Sequence, residues 1–200
     1  SVVGPLESHG THATLKAALV CCLRAHGCTL AGSGGAAVLV ARTVLQGSLC
    51  PQPGIHVYIP GRAIKLTLHN PTRTKQCDFV FVHHFGLTLE VTHTFINNVD
   101  ILRKASCDSP ESNSLVLMGD FKLDPEGSMK ISLADASSLS NAFSSNVPIR
   151  PFEGEWNALF GKLVEIDFPL PSHVNSASLS LSRIHRIFLG SPKSVVPLTK

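Results

Sequence analysis

A carboxylate at the end of an apolar segment is the first feature of this sequence that suggests chemistry. Residues 114–118 read Ser-Leu-Val-Leu-Met, and Gly119 and Asp120 follow directly. A run of this length is too short for a helix and is typical of a buried strand, which would deliver the Asp120 carboxylate to the rim of a sheet. Gly followed by Asp is also a common exit from a strand into a loop. Asp120 is therefore a candidate for catalysis or metal binding, and its role depends on the residues that lie near it.

Two adjacent histidines end a second predicted strand. The apolar run from Phe79 to Val82 leads into His83 and His84. Successive residues of a strand face opposite sides of a sheet, so at most one of the two rings can reach a site at the strand end. The other ring would pack within the fold. Both histidines remain candidates for contact with a substrate.

The segments around these candidates carry the patterns of strands and helices that would position them. Apolar runs, alternating or continuous, predict strands over 36–41, 55–59, 64–69, 79–82, 114–118, 163–168 and 183–189, with a hairpin turn at Pro60-Gly61. Apolar residues spaced by three and four predict helices over 11–26, 88–104 and 131–143, the second with Leu89, Phe95, Ile96, Val99 and Leu102 facing inward. Residues 152–163 read as a loop or a short helix, and the serine-rich stretch 172–182 reads as a surface loop. Trp156 either fills the core or stacks on a base.

The composition indicates a globular protein and argues against several other classes. The 200 residues are 44% hydrophobic and 16% charged, which suits one domain with a sizeable core. The net charge of +3 tolerates a polyanionic partner without requiring one. No apolar run approaches the ~20 residues that span a bilayer, and the first residues lack the layout of a signal peptide. We therefore expect an intracellular location, the nucleus included, and no membrane segment.

The cysteine pattern and the first residue carry two further expectations. The six cysteines, at positions 21, 22, 28, 50, 77 and 107, form no Cys-x-x-Cys pair and show no zinc-site spacing. Free thiols in a reducing compartment are expected. The sequence begins with Ser1 and not with Met. We therefore expect a segment of a longer protein.

Several short segments occur in the order of a known set of motifs. In chain order they are Leu6-Glu7-Ser8-His9-Gly10, Gly34-Gly35-Ala36-Ala37-Val38-Leu39, Gly61-Arg62-Ala63-Ile64-Lys65-Leu66, Val82-His83-His84-Phe85, Gly119-Asp120-Phe121-Lys122 and Ser182-Arg183-Ile184-His185-Arg186-Ile187-Phe188. Together they resemble the endonuclease/exonuclease/phosphatase superfamily, to which DNase I belongs. The fifth is similar to the Gly-Asp-Phe-Asn of that family. The last resembles the Ser-Arg-Ile-Asp-Arg-Ile-Phe of its non-LTR retrotransposon endonucleases.

This resemblance implies an α+β fold, a four-layer α/β/β/α sandwich of the DNase I type. It implies a single domain over residues 1–200 that is truncated at both ends and lacks one edge strand at each terminus. The function it implies is a Mg²⁺- or Mn²⁺-dependent phosphodiester hydrolase that acts on nucleic acid, most closely a DNA endonuclease of a retroelement, fused to a reverse transcriptase in a longer parent. Two alternatives stay open: a catalytically silent copy with at most weak nucleic-acid binding, and the phosphatase or deadenylase branch.

The resemblance also implies roles for particular residues. Glu7 and Asp120 would bind one metal ion, and Asp120 would orient or deprotonate the attacking water. His84 occupies a position near the scissile phosphate and is expected to take part in catalysis. His83 and His173 are expected to contact the substrate.

Two residues depart from the family pattern at positions expected to be catalytic. Lys122 stands where the family has Asn, and an ammonium ~4 Å from a divalent ion at an effective dielectric of ~20 is opposed by roughly 4 kcal/mol per unit of metal charge. Lys122 could instead bind the substrate phosphate itself. His185 stands where the family has an aspartate that orients a histidine, and it cannot do so as an anion. The first departure implies a weakly held ion, and the two together imply an impaired active site.

Overall fold

The structure is a computed structural model that describes residues 2–3, 28–33, 36–41, 54–84, 86–121, 131–132, 153–166, 173–175, 180–182 and 185–191. These residues form strands and helices that we number in chain order. The strands are β1 (Val2–Val3), β2 (Cys28–Ser33), β3 (Ala36–Ala41), β4 (Gly54–Ile59), β5 (Ala63–His69), β6 (Gln76–His83), β7 (Asn113–Asp120), β8 (Ile131–Ser132), β9 (Val164–Ile166), β10 (His173–Asn175), β11 (Ser180–Ser182) and β12 (His185–Leu189). The helices are α1 (Leu89–Asp108) and α2 (Glu153–Phe160).

A six-stranded mixed sheet is the largest element of the described chain. Its strand order is β4-β5-β6-β7-β12-β9. The central pair, β6 and β7, runs parallel, whereas the other neighbours in this sheet pair antiparallel. Parallel neighbours need a long crossover connection, and α1 provides it between β6 and β7. The carboxyl ends of β6 and β7 therefore lie side by side.

Both helices pack on one face of this sheet. The core on that face joins buried side chains of α1 and α2 to those of four strands, and its members are Ala63, Val80, Val82, Phe95, Ile96, Val99, Leu115, Leu117, Phe121, Trp156, Leu159, Phe160 and Phe188. α1 begins where the Oγ1 of Thr88 accepts a hydrogen bond from the Val91 backbone N–H. In the part of the chain that the structure describes, no helix is long and apolar enough to cross a membrane.

The opposite face of the sheet is also buried. Ile64, Leu66, Leu68 and Phe81 are at most 1% exposed. β2 and β3 contact β5, and β3 also contacts β6, so the three-stranded sheet β1-β3-β2 lies against the six-stranded one. Strands β10, β11 and β8 form a further antiparallel sheet. These layers of sheets and helices confirm the predicted α+β class.

Most of the predicted elements are confirmed, and three predictions were wrong in part. Leu89 was expected to face inward but is 48% exposed, because it is the first residue of α1. Ile131 and Ser132 form the short strand β8 where a helix was predicted, and the rest of that segment lies outside the described residues. Part of the serine-rich stretch forms β10 and β11 and is not a loop. The helix predicted over 11–26 lies outside the described residues.

Candidate functional site

Four residues at one end of the six-stranded sheet lie in one row across neighbouring strands. β6 and β7 pair in a register that sets His83 beside Asp120, and β7 and β12 pair in a register that sets His185 on the other side of Asp120. The backbone N–H of His83 donates to the carbonyl of Arg62, 2.8 Å away, which extends the row to the start of β5. We call Arg62, His83, Asp120 and His185 the strand-end row.

The first pair of the row is bound side chain to side chain. The Nη1 of Arg62 lies 2.9 Å from the Nδ1 of His83. Arg62 was not among the residues predicted from the sequence. It comes directly after the turn at Pro60-Gly61, and only the register of β5 against β6 brings it next to His83. The available sequence signal was the Gly61-Arg62 dipeptide, which the family resemblance had marked as a strand start.

The central pair of the row joins a histidine and a carboxylate that are both buried. The Nε2 of His83 is 4.0 Å from the Oδ2 of Asp120. His83 is 5% exposed and Asp120 is 6% exposed. A separation of 4.0 Å exceeds hydrogen-bonding distance but leaves the two groups able to act on one bound atom. A base and a hydrogen-bonding ring so placed are suited to hydrolysis of an ester.

Gly119 allows these two strands to approach closely. It lies opposite Val82 in the parallel pairing. A Cβ added at Gly119 would stand 2.0 Å from the Val82 carbonyl oxygen and 2.7 Å from its Cγ1. The sequence pattern suggested a glycine that ends the strand, but its requirement is steric. The Gly-Asp dipeptide therefore combines a close backbone contact with the carboxylate of the site.

The two histidines after Phe79–Val82 lie in different surroundings, as the alternation of strand residues predicted. His84 is 4% exposed, and its ring lies perpendicular to that of Trp156 at a centroid distance of 5.4 Å. Its backbone N–H donates to the carbonyl of Asp120 at 2.8 Å. Trp156 has no exposed surface. Of the two roles that the sequence allowed, it therefore fills the core and does not stack on a base. The structure thus brings the ring of His83 to the Asp120 carboxylate and the ring of His84 to the aromatic core.

The remaining predicted residues differ in how far the structure locates them. Glu7 and Lys122 lie outside the described residues. His185 is the first residue of β12 and occupies the register position opposite Asp120. His173 begins β10 and pairs with Ser182 of β11. The juxtaposition of Glu7 with Asp120 therefore stays a prediction.

A divalent metal, which the family resemblance implies, would need oxygen ligands at the strand-end row. Mg²⁺ keeps several waters and is usually bound by one or two carboxylates and by phosphate oxygens of the substrate. Asp120 offers one carboxylate at the end of β7. Across the described ranges, no group of three or more His, Cys, Asp or Glu side chains is arranged to hold a metal ion. The Asp120 carboxylate is therefore a donor that suits a hydrated ion, which takes its remaining oxygens from water and substrate.

The arginine of the late motif has a structural environment. Arg186 is 9% exposed and binds Glu165 of β9 through two hydrogen bonds, with its Nε 2.8 Å from Oε1. Its guanidinium carbon also lies 4.8 Å from the ring centroids of Phe160 and Phe188, which stack on each other. These contacts tie β12 to β9 and to α2.

Comparison with known proteins gives the class of this fold. No protein-family model matches the chain, and a search of curated protein sequences gives no match. The chain is similar to the solved endonuclease domain of TRAS1, a telomere-specific non-LTR retrotransposon, with 12% identity and a TM-score of 0.50 over 91% of this chain and 80% of that one. It is also similar to the mannosyl-6-phosphatase Bt3783 of Bacteroides thetaiotaomicron, with 14% identity and a TM-score of 0.52 over 96% of this chain and 71% of that one.

The two comparisons and the layered sheets define a DNase I-like α+β fold. This is the fold that the sequence resemblance implied. The resemblance seen in the sequence is confirmed at the level of the fold.

Proposed function

We propose that this chain is a divalent-metal-dependent phosphodiester hydrolase that nicks DNA, of the type found in retroelements. The observation that carries this proposal is the pairing of the Asp120 carboxylate with the His83 imidazole, 4.0 Å apart at the adjacent ends of parallel strands. The similarity in fold to a retrotransposon endonuclease domain supports this branch. The net charge of +3 is compatible with a polyanionic substrate.

Each residue of the proposed site has a stated task. Asp120 accepts a proton from the attacking water or orients it, and His83 donates a hydrogen bond to a phosphoryl oxygen. Asp120 and Glu7 would hold a divalent ion, which would supply charge stabilisation on the phosphoryl and departing oxygens. Lys122 binds the phosphate as a point charge. We leave His84 out of this set because its ring packs on Trp156.

The departures at the site support an impaired form of this enzyme. His185 occupies the register position beside Asp120, and the family that the sequence resembles has an aspartate at this position. An imidazole there brings no negative charge to the row and weakens the hold on a cation. With Lys122 nearby in sequence, we expect slow nicking that a paired restoration, Lys122→Asn with His185→Asp, increases.

The test is nicking of a supercoiled plasmid with Mg²⁺, with Mn²⁺ and with a chelator. We expect metal-dependent conversion to the open circle, reduced at least ~100-fold by Asp120→Asn. Asp108→Asn is the matched control, because Asp108 is exposed at the end of α1. Equal nicking by the wild-type chain and Asp120→Asn would refute the proposed role of this carboxylate.

Two other activities are distinguished by the same set of variants. A catalytically silent copy would not nick DNA with either metal ion, and the restored variant would not nick it either. Such a copy would still fold and would still bind DNA weakly. The similarity in fold to a mannosyl-6-phosphatase favours a second candidate, phosphomonoester hydrolysis. Release of phosphate from a sugar phosphate, dependent on Asp120 and without plasmid nicking, would assign the chain to that branch. A reverse transcriptase reading frame beside the coding sequence would support fusion in a longer parent.

A further inference from the structure

The contact between Arg62 and His83 fixes which ring nitrogen carries the hydrogen. A guanidinium has five N–H donors and no acceptor, and it stays protonated in proteins. Its Nη1, 2.9 Å from Nδ1 of His83, must therefore donate, and Nδ1 must accept with its lone pair. A neutral imidazole that accepts at Nδ1 carries its hydrogen at Nε2.

That hydrogen lies on the side of the ring that approaches Asp120. The Nε2 of His83 is 4.0 Å from Oδ2 of Asp120. The backbone of His83 is held from both neighbouring strands, by its hydrogen bond to the Arg62 carbonyl and by the parallel pairing with β7. The ring thus presents an N–H, and not a lone pair, to the space beside the carboxylate.

We propose that Arg62 is a positioning residue that holds His83 as the Nε2–H tautomer, so that His83 meets a substrate phosphoryl oxygen as a neutral hydrogen-bond donor and not as a proton acceptor. This inference rests on the proposed function, because the phosphoryl oxygen is the partner that the donor is held for. It divides the chemistry of the row between two groups. Asp120 accepts the proton of the attacking water, and His83 donates a hydrogen bond to the phosphoryl oxygen on which negative charge develops.

The direct test is the tautomer of His83 by ¹⁵N NMR of histidine-labelled protein at fixed neutral pH and without metal. The chain has ten histidines, so His83→Gln assigns the signal by its disappearance. We expect a hydrogen on Nε2 and a hydrogen-bonded acceptor at Nδ1. In Arg62→Met, the Nδ1 resonance should move toward that of an imidazole nitrogen without a hydrogen-bond partner. A hydrogen on Nδ1 in the wild-type chain, or no change in Arg62→Met, would overturn the inference.

The matched control removes another guanidinium at the far end of the sheet. Arg103 of α1 binds Asp100 at 2.8 Å and contacts Cys107, whose Sγ donates to the carbonyl of Gly190 beyond β12. Gly190 bonds to Leu115 of β7, five residues before Asp120, so this end lies about 17 Å from Asp120 along the strand at ~3.3 Å per residue. Arg103→Met should therefore leave the His83 signals unchanged. A comparable change in both variants would show that the effect does not pass through the contact with Arg62.

Nicking kinetics give a second measurement, which would not change if Arg62 had a purely structural role. Arg62→Met should lower the kcat of nicking roughly 10- to 100-fold with little change in KM, and should have no further effect in a His83→Gln background. Additive losses in the double variant would overturn the assignment.

A chain that nicks no DNA but keeps the Nε2–H ring bound by Arg62 refutes the proposed function and leaves the positioning intact. A chain that nicks DNA with the hydrogen on Nδ1 refutes the positioning alone.

Discussion

Replacement of Gly119 by alanine tests whether the close approach of β6 and β7 builds the site. The added Cβ would stand 2.0 Å from the Val82 carbonyl oxygen, and Cβ atoms essentially never come within 3.0 Å of a neighbour. The two strands must therefore separate by about 1 Å, the difference between these two distances. Forced overpacking of this kind costs about 1–3 kcal/mol, and a rigid backbone neighbour places the change near the upper end.

Two measurements follow from a destabilisation of this size. Urea unfolding should show a loss of about 3 kcal/mol, and the Tm of a chain of this length should fall by about 6–12 °C. Nicking should fall more than stability predicts, because Asp120 follows Gly119 directly. A displacement of ~1 Å at a catalytic group can cost about 100-fold in rate.

Two comparisons make the outcome specific. Gly154→Ala is the control, because no atom lies within 4 Å of a Cβ at this exposed position in the first turn of α2. It should raise the free energy of unfolding by at most about 0.5–1 kcal/mol, the gain of Ala over Gly inside a helix. Val82→Ala removes the Cγ1 contact but not the carbonyl, so it should not rescue Gly119→Ala. Wild-type stability of Gly119→Ala, or its full rescue by Val82→Ala, would refute the explanation by backbone contact.

Two further predictions concern titrating groups away from the site. Burial, and next the charge of Asp78, raise the pKa of Cys77 to about 12, so at pH 8 its thiolate is about 1 part in 10,000. Maleimide labelling followed by peptide mass analysis should therefore modify the exposed Cys107 before Cys77. Faster labelling of Cys77 would contradict this order. Burial opposes ionisation of Asp100, but hydrogen bonds from Arg103 and Lys104 outweigh burial and lower the pKa of Asp100 below 3.8. The contribution of this carboxylate to stability is therefore present above pH 3.8 and is lost as the pH falls through the pKa in the folded state. Asp100→Asn should cost up to ~1 kcal/mol of unfolding free energy at pH 7 and a smaller amount near pH 2, and a cost independent of pH would count against the ion pairs.

The local pattern of the sequence predicted the strands well but indicated less about their neighbours. Alternation predicted the hairpin of β4 and β5, because a strand half-buried in a sheet leaves a period of two. It could not give the pairing of β6 with β7, which depends on the path of α1 between them. A shift of one residue in that register would move the neighbour of Asp120 from His83 to His84. The sequence therefore predicted the candidate residues, and the topology decided which ring meets the carboxylate.

Helical periodicity has a similar limit. Leu89 lies two turns before Ile96 on the same side of α1, and the spacing correctly gave that side as the inward one. Ile96 is 8% exposed, whereas Leu89 is 48% exposed. Periodicity identifies the buried face of a helix but not the length over which another element covers it. Arg62 was missed for a related reason, since a charged residue after a turn is usually solvated and only its partner distinguishes it.

The mixed topology of the sheet explains why residues from distant parts of the sequence lie next to Asp120. Parallel pairing places the ends of β6 and β7 together, and antiparallel pairing brings the first residue of β12 to the same edge. Each strand can therefore change its terminal residue without altering the core that its preceding residues build. Under the proposed function His185 is such a change, because the resemblance implies an acid at this position, and Arg186 and Phe188 keep their contacts with Glu165 and Phe160. The fold does not depend on the residue at this position, so the proposed function predicts that His185→Asp changes the rate of nicking and leaves the free energy of unfolding unchanged.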